Sequence, residues 1–155
     1  MDVICVLCGE AEKTCRHLFF GCRYSGRVWK DLVGGIMGTE FTYDWDEILG
    51  VLSRQGQTTT KVYLLRYAFQ ALVHSVWRER NARRHGEQPR EEEMLYKFVD
   101  NIIRLKLLPV KGQGKNYPEE GLCKWFVRQE DKKTSSTTYK FMKIDSLSIR
   151  IFVQS

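Results

Sequence analysis

The sequence Cys5-Val-Leu-Cys8, followed by His17-Leu-Phe-Phe-Gly-Cys22, decides how the first part of this chain folds. Two residues separate Cys5 from Cys8, a turn short enough for both sulfurs to lie about 2.3 Å from one tetrahedral ion. His17 and Cys22 form a second pair, and the eight residues after Cys8 allow the chain to return to the first pair. The spacing therefore predicts one structural zinc site with three cysteine ligands and one histidine ligand.

The small size of this segment also favours a metal site. So short a chain cannot bury enough apolar surface to fold alone, and a bound metal would supply the missing stability. The competing interpretation is that Cys5 and Cys8 are small buried apolar residues and that His17 is an ordinary imidazole. Cys15 lies two residues before His17 and could replace it as the third ligand, although an uninvolved thiol is the simpler expectation.

Length and cysteine content set the broad class of the protein. The 155 residues suffice for one domain, or for a small module with a second short unit. The five cysteines include Cys123 near the other end, and an odd number without a secretory signal argues against a disulfide framework. No stretch approaches the roughly 18 apolar residues of a membrane span. We therefore expect an intracellular protein, nuclear or cytoplasmic, with no membrane partner.

Basic residues dominate the charge of the chain. The formal net charge is +6 and the sequence pI is about 9.1, a balance that suits polyanions such as nucleic acid. Five arginines surround His85: Arg78, Arg80, Arg83, Arg84 and Arg90. They predict weak, sequence-tolerant binding to RNA or DNA, because guanidinium groups bind phosphate in bidentate fashion. The equally weighted alternative is a solvated helix end whose cations complement the helix dipole.

Two short helices are predicted after the cysteine and histidine pairs. Ser25 could cap the first, which carries Trp29 and a small apolar face and ends at the Gly34-Gly35 pair. Asp44, with Glu47 three residues later, has the form of a capping box for the second.

Two longer helices follow. Apolar residues recur at three- and four-residue steps from Val62 to Trp77, which places them on one helix face. After Pro89, a second apolar face runs from Leu95 to Leu105, so we expect an antiparallel helix pair. Aromatic residues on the helix faces are expected in the core rather than at a binding surface: Phe19, Phe20, Trp29, Phe69, Trp77 and Phe98.

Glycine and proline clusters divide the chain into three expected parts. Residues 1–33 should contain the zinc knuckle and the following short helix, residues 34–109 the helical region with its helix pair, and residues 110–155 a tail of unknown role. Three stretches of the tail are rich in β-branched and aromatic residues and predict short strands: Leu122 to Arg128, Thr138 to Ile144 and Leu147 to Val153. The predicted fold is mainly α, with an N-terminal zinc knuckle and short strands only in the tail.

Catalytic patterns are missing from the sequence. A polymerase needs paired carboxylates for two metal ions, and the chain contains no adjacent Asp-Asp pair. Asp44 and Asp46 are better explained as helix-start residues. Cys15 and His17 are too close in sequence for a confident nucleophile and base, so an enzyme that uses the Cys15 thiolate is a distant alternative. We expect the protein not to be an enzyme.

The order of these motifs resembles a known family. The sequence from Cys5 to Trp29 is similar to the zinc-binding domain at the C-terminal end of plant non-LTR (LINE-type) retrotransposon reverse transcriptases, and Trp77-Arg-Glu-Arg-Asn81 resembles the Trp-x-x-Arg-Asn helix that follows the zinc motif there. The resemblance implies zinc ligation by Cys5, Cys8, His17 and Cys22. It also implies that the knuckle helps a parent enzyme to engage its RNA template or target DNA.

The resemblance covers about the first 85 residues. Family members have some tens of residues before the first cysteine pair, so this chain is expected to be an N-terminally truncated fragment. Nothing after Pro109 resembles the family. The competing hypothesis is a protein-protein interaction module, in which zinc only holds the helices together and their amphipathic faces bind a partner protein.

Overall fold

The computed structural model describes residues 3–54, 60–107 and Trp125. Four α-helices account for most of them: α1 (Arg23–Met37), α2 (Trp45–Leu52), α3 (Thr60–Arg84) and α4 (Glu92–Leu107). A π-helical turn, His17–Gly21, precedes α1, and a short 3-10 turn, Gly38–Glu40, follows it. The prediction of a mainly α protein is confirmed, and the described residues contain no β-strand. No helix in this part of the chain is both long and apolar enough to cross a membrane.

Helix α1 is longer than the sequence predicted. It begins at Arg23, directly after Cys22, and continues through Gly34 and Gly35. Ser25 is therefore not the cap but a buried residue in the first turn, where its hydroxyl donates to the Leu18 carbonyl at 2.7 Å. Glycine disfavours a helix interior by about 1 kcal/mol, and burial of the apolar face of α1 outweighs that cost. The helix also crosses the expected boundary at residue 33.

The start of α2 follows the predicted cap. The Asp44 carboxylate accepts hydrogen bonds from the backbone N–H groups of Asp46 at 2.9 Å and Glu47 at 3.0 Å. The reciprocal half of a capping box is absent, because the Glu47 carboxylate accepts from the Thr42 hydroxyl instead. The Thr42 hydroxyl oxygen in turn accepts from the Asp44 N–H at 3.0 Å. Asp44 and Asp46 thus belong to the start of the helix, as expected.

Helices α3 and α4 pack against each other and against α1. Pro89 lies before α4, whose first turn begins at Glu92 and contains Glu93, where the carboxylates complement the positive end of the helix. One prediction for α3 is wrong. Val76 is fully buried, but Trp77 is 51% exposed and does not belong to the core. Successive helical residues point about 100° apart, so a residue at the edge of an apolar face can turn toward solvent.

An aromatic cluster joins the π-helical turn to the helices. The Phe20 ring lies 5.0 Å from Trp29 of α1, 5.6 Å from Trp45 of α2 and 5.5 Å from Phe69 of α3, measured between ring centroids. Phe20 and Trp29 are almost completely buried. Because aromatic pairs at these separations add about 0.5–1.5 kcal/mol each beyond their area burial, this cluster ties the N-terminal segment firmly to the helical region.

Trp125 extends the same core into the C-terminal part of the chain. Its side chain is fully buried, and its indole N–H donates to Asp100 Oδ1 of α4 at 2.9 Å. Asp100 Oδ2 accepts from Arg104 Nε at 2.7 Å. The backbone at Trp125 is helical, so the strand predicted for Leu122 to Arg128 is not present at this position. The strands predicted at 138–144 and 147–153 lie outside the described residues.

Candidate metal centre

A tight backbone turn presents the first cysteine pair. The Cys5 N–H donates to the Ala11 carbonyl at 2.8 Å, and the Cys5 carbonyl accepts from the Gly9 N–H at 2.8 Å. Gly9 has a φ of 70°, a conformation that residues with a side chain rarely adopt. These contacts fold the chain back immediately after Cys8, so both sulfurs lie on the same side of the turn.

The π-helical turn and the start of α1 present the second pair. His17 is the first residue of the turn, and Cys22 is the N-cap of α1. The Cys22 N–H donates to the His17 carbonyl at 2.6 Å, and the His17 N–H donates to the Thr14 hydroxyl at 3.1 Å. These local hydrogen bonds fix the backbone around the turn and so determine the separation of the His17 and Cys22 side chains.

The four predicted ligands form one cluster. Their potential ligand atoms all lie within 4.8 Å of one another. Cys5 Sγ is 3.9 Å from Cys22 Sγ, and Cys8 Sγ is 3.3 Å from His17 Nε2. A tetrahedral zinc ion with ordinary bond lengths would place two sulfurs about 3.8 Å apart, and a sulfur and a nitrogen about 3.6 Å apart. The observed distances lie close to these values, so the cluster could hold a metal ion.

The surroundings of the two thiols shift their pKa values in opposite directions. Burial raises the pKa of Cys22 to about 12, and the backbone N–H groups of Ser25 and Tyr24 in the first turn of α1 offset only part of this rise. Burial also raises the pKa of Cys8, but hydrogen bonds from the Glu10 N–H and the His17 ring outweigh it and lower the pKa to about 6. A bound cation would favour the thiolate at both positions, because a coordinating thiol is deprotonated by its metal.

Cys15 does not take part in the cluster. Its side chain is exposed, whereas His17 is part-buried and directs Nε2 toward Cys8. The alternative in which Cys15 replaces His17 therefore does not agree with the geometry. Cys123 lies outside the described residues.

Arg83 connects the turn from Cys5 to Cys8, called the metal loop below, to the helices. Its guanidinium group donates to the Leu7 carbonyl at 3.1 Å, and Leu7 lies between the two cysteines of the first pair. The same group donates to Glu79 Oε1 at 2.8 Å and to the Arg90 carbonyl at 2.9 Å. It also lies 4.5 Å above the Tyr24 ring. Arg83, expected at a nucleic-acid surface, is thus used inside the protein.

The remaining arginines of the basic cluster divide into two groups. The Arg90 N–H donates to Glu79 Oε1 at 2.9 Å, and its guanidinium group lies 5.3 Å from the Phe98 ring, so Arg90 belongs partly to the same internal network. Arg78 and Arg84 are exposed, and Arg80 is part-buried with a hydrogen bond to the Asn81 side chain at 2.9 Å. Three of the five predicted arginines therefore remain at the surface of α3.

Glu79 is the residue that sequence reasoning missed. Its side chain is only 3% exposed, and it pairs with both Arg83 and Arg90. The signal was present in the spacing, because Leu72, Val76, Glu79 and Arg83 follow three- and four-residue steps on the buried face of α3. A carboxylate on such a face needs a cation nearby, since an unpaired buried charge is costly.

The chain matches no protein-family model, no curated protein and no solved structure. Its functional interpretation therefore depends on the geometry of the cluster and on the surface of the helices.

Proposed function

We propose that this chain is a zinc-binding, nucleic-acid-associated protein without catalytic activity, similar to the C-terminal zinc-binding domain of plant non-LTR retrotransposon reverse transcriptases. The observation that carries the proposal is the convergence of four ligand atoms within 4.8 Å. Three thiolates and one imidazole suit zinc, since soft ligands in tetrahedral arrangement favour it over magnesium or calcium. Four protein ligands leave no open position, which is typical of structural rather than catalytic zinc.

Zinc in this position would stabilise the N-terminal segment. Cys5 and Cys8 belong to a turn whose apolar neighbours Val3, Ile4 and Val6 are largely exposed, whereas Cys22 is the N-cap of α1 and lies two residues after the buried Phe20. An ion shared by the two pairs would connect that turn to the helical core. Apparent binding free energies of structural zinc reach about 10–16 kcal/mol in small zinc peptides, so loss of metal should unfold the segment.

Metal analysis of the purified full chain tests this part of the proposal. We expect one equivalent of zinc, and a cobalt-substituted protein with the intense visible bands of tetrahedral thiolate coordination. Cys8→Ser and Cys22→Ser should abolish stoichiometric binding. Cys15→Ser is the matched control, because Cys15 is a nearby but exposed cysteine, and it should retain one equivalent. Zinc content that survives both ligand substitutions would refute the assignment.

Association with nucleic acid is supported by the exposed arginines of α3 and the net charge of +6. Three phosphate contacts from Arg78, Arg80 and Arg84 would give a slope of about −2 in log affinity against log salt on a single strand, at about −0.7 per contact. Typical non-specific dissociation constants are about 10⁻⁴ to 10⁻⁶ M. Replacement of all three residues by Gln should flatten the slope to near zero and leave α3 intact, because Gln has a good helix propensity.

The second candidate function is a zinc-stapled protein-protein interaction module. Met94 and Leu105, eleven residues apart on α4, are 44% and 39% exposed and point in nearly the same direction. Phe98 lies between them and is only part-buried. This stripe is the kind of surface that binds an amphipathic partner helix. Failure of the zinc-loaded chain to bind any oligonucleotide at low salt would favour this candidate.

A further inference from the structure

One face of α3 combines an exposed tryptophan with cationic side chains. Trp77 is 51% exposed, whereas Trp29 and Trp125 are fully buried. Four residues of α3 are spaced so that they share the side of the helix on which Trp77 lies: His74 before it, and Arg78, Asn81 and Arg84 after it. This surface, His74 to Arg84 on the exposed side of α3, is called the Trp77 face below.

The indole of Trp77 has the His74 imidazole as an aromatic neighbour, and half of its side chain is exposed. The His74 ring lies 6.5 Å from it between centroids, with an angle of 31° between the planes. This neighbour leaves the indole accessible, since half of the side chain remains exposed. An accessible aromatic side chain has only two rotatable torsions, so it can accept a second planar group at little entropic cost.

The charged side chains that α3 contributes to the Trp77 face are all positive. Arg78 and Arg84 are both exposed; Arg78 directly follows Trp77, and Arg84 lies about two helical turns further on, in nearly the same direction as the indole. The only carboxylate of α3, Glu79, is buried in its network with Arg83 and Arg90 and points away from this face. An approaching polyanion therefore meets cations beside the aromatic ring and no exposed acid from α3 itself.

We propose that the Trp77 face binds single-stranded nucleic acid, with one base stacked on the Trp77 indole and neighbouring phosphates contacted by Arg78 and Arg84. The inference rests on the proposed association with nucleic acid and narrows it to one substrate class. An unpaired base presents a free π-face to an aromatic side chain, whereas bases inside a duplex are already stacked on one another. Arginines beside a stacking platform then hold the backbone without reading the sequence.

The test uses the full-length zinc-loaded chain and two probes, a fluorescently labelled dT12 strand and a duplex of the same length. The single strand should bind more tightly and should quench tryptophan fluorescence. Trp77→Ala should weaken binding of dT12 by about 5- to 150-fold and remove the quenching, because stacking of a base on an aromatic ring contributes about 1–3 kcal/mol. The salt slope should not change, since no phosphate contact is lost.

Three further variants separate the parts of this surface. Trp77→Phe keeps a smaller ring and should bind between the wild type and Trp77→Ala. Arg78→Gln combined with Arg84→Gln should flatten the salt slope by about 1.4 units, at about 0.7 per contact. Met94→Ala is the matched control, because it truncates an exposed apolar residue of similar accessibility on α4, and it should bind dT12 like the wild type. Far-UV circular dichroism verifies that each variant retains its helices.

The possible outcomes distinguish this inference from the proposed function. Binding of dT12 that Trp77→Ala leaves unchanged, or a duplex bound as tightly as the single strand, would overturn the stacking inference and leave the association with nucleic acid standing. Absence of binding to both probes at low salt would overturn both.

Discussion

Replacement of Arg83 tests how the metal loop is attached to the helices. In Arg83→Met the side chain keeps a similar length but loses its charge and all of its donors. The Leu7 carbonyl loses its hydrogen bond from α3, and the nearly buried Glu79 carboxylate loses its 2.8 Å partner. Arg90 still offers Glu79 its backbone N–H at 2.9 Å and a guanidinium nitrogen at 3.8 Å.

These contacts determine how much unfolding free energy Arg83→Met should lose. Removal of one partner from a buried ion pair costs about 3–5 kcal/mol, mainly because the other charge is left uncompensated. Since Arg90 compensates part of the Glu79 charge, we expect the lower end, about 3 kcal/mol of unfolding free energy. The double variant Arg83→Met with Glu79→Leu leaves neither charge buried and should be more stable than Arg83→Met alone. The two substitutions should therefore be strongly non-additive.

Urea unfolding of the zinc-loaded protein, followed by circular dichroism, measures this loss. A change of 3 kcal/mol corresponds to a midpoint shift of about 1.5 M when the slope is about 2 kcal/mol per molar urea. Transfer of zinc to a chelator should also be faster in Arg83→Met, because the loop between Cys5 and Cys8 loses its anchor.

Arg84→Met is the matched control for this experiment. Arg84 is the next residue of α3 and is exposed, so its replacement should change stability by no more than about 0.5 kcal/mol. Additive effects of the Arg83 and Glu79 substitutions, or equal stabilities of Arg83→Met and Arg84→Met, would refute the assigned role of Arg83.

Two other predictions follow from the packing and from the sequence. A Cβ at Gly26 would lie 2.6 Å from the Phe20 carbonyl oxygen, whereas one at Gly50 would meet nothing within 4 Å. Gly26→Ala should therefore lower the thermal midpoint, because it costs about 2 kcal/mol of unfolding free energy. Gly50→Ala should raise the midpoint, because alanine stabilises a helix by about 0.5–1 kcal/mol relative to glycine. Equal midpoints for the two variants would contradict the close approach of α1 to the π-helical turn. The purified chain should not incorporate nucleotides on a primed template, and incorporation that a point substitution within this chain abolishes would refute the non-catalytic proposal.

Local features of the sequence were sufficient for the ligand cluster and for the start of α2. Cys5 and Cys8, like His17 and Cys22, are joined by a few residues, so backbone geometry alone restricts where each pair can lie. The cap at Asp44 is likewise a contact with its own next residues. The helical periodicity from Val62 and from Leu95 also predicted α3 and α4, because a buried stripe must repeat with the helix.

Contacts between residues far apart in the sequence decided which side chains are buried and where α1 ends. Trp77 was expected inside and is exposed, whereas Arg83 was expected outside and is held by the Leu7 carbonyl and Glu79. Helical spacing shows which residues share a face, but the positions of α1, α4 and the metal loop determine which edge of that face is covered. For the same reason Gly34 and Gly35 did not end α1, because burial of its apolar face outweighs their weak local preference.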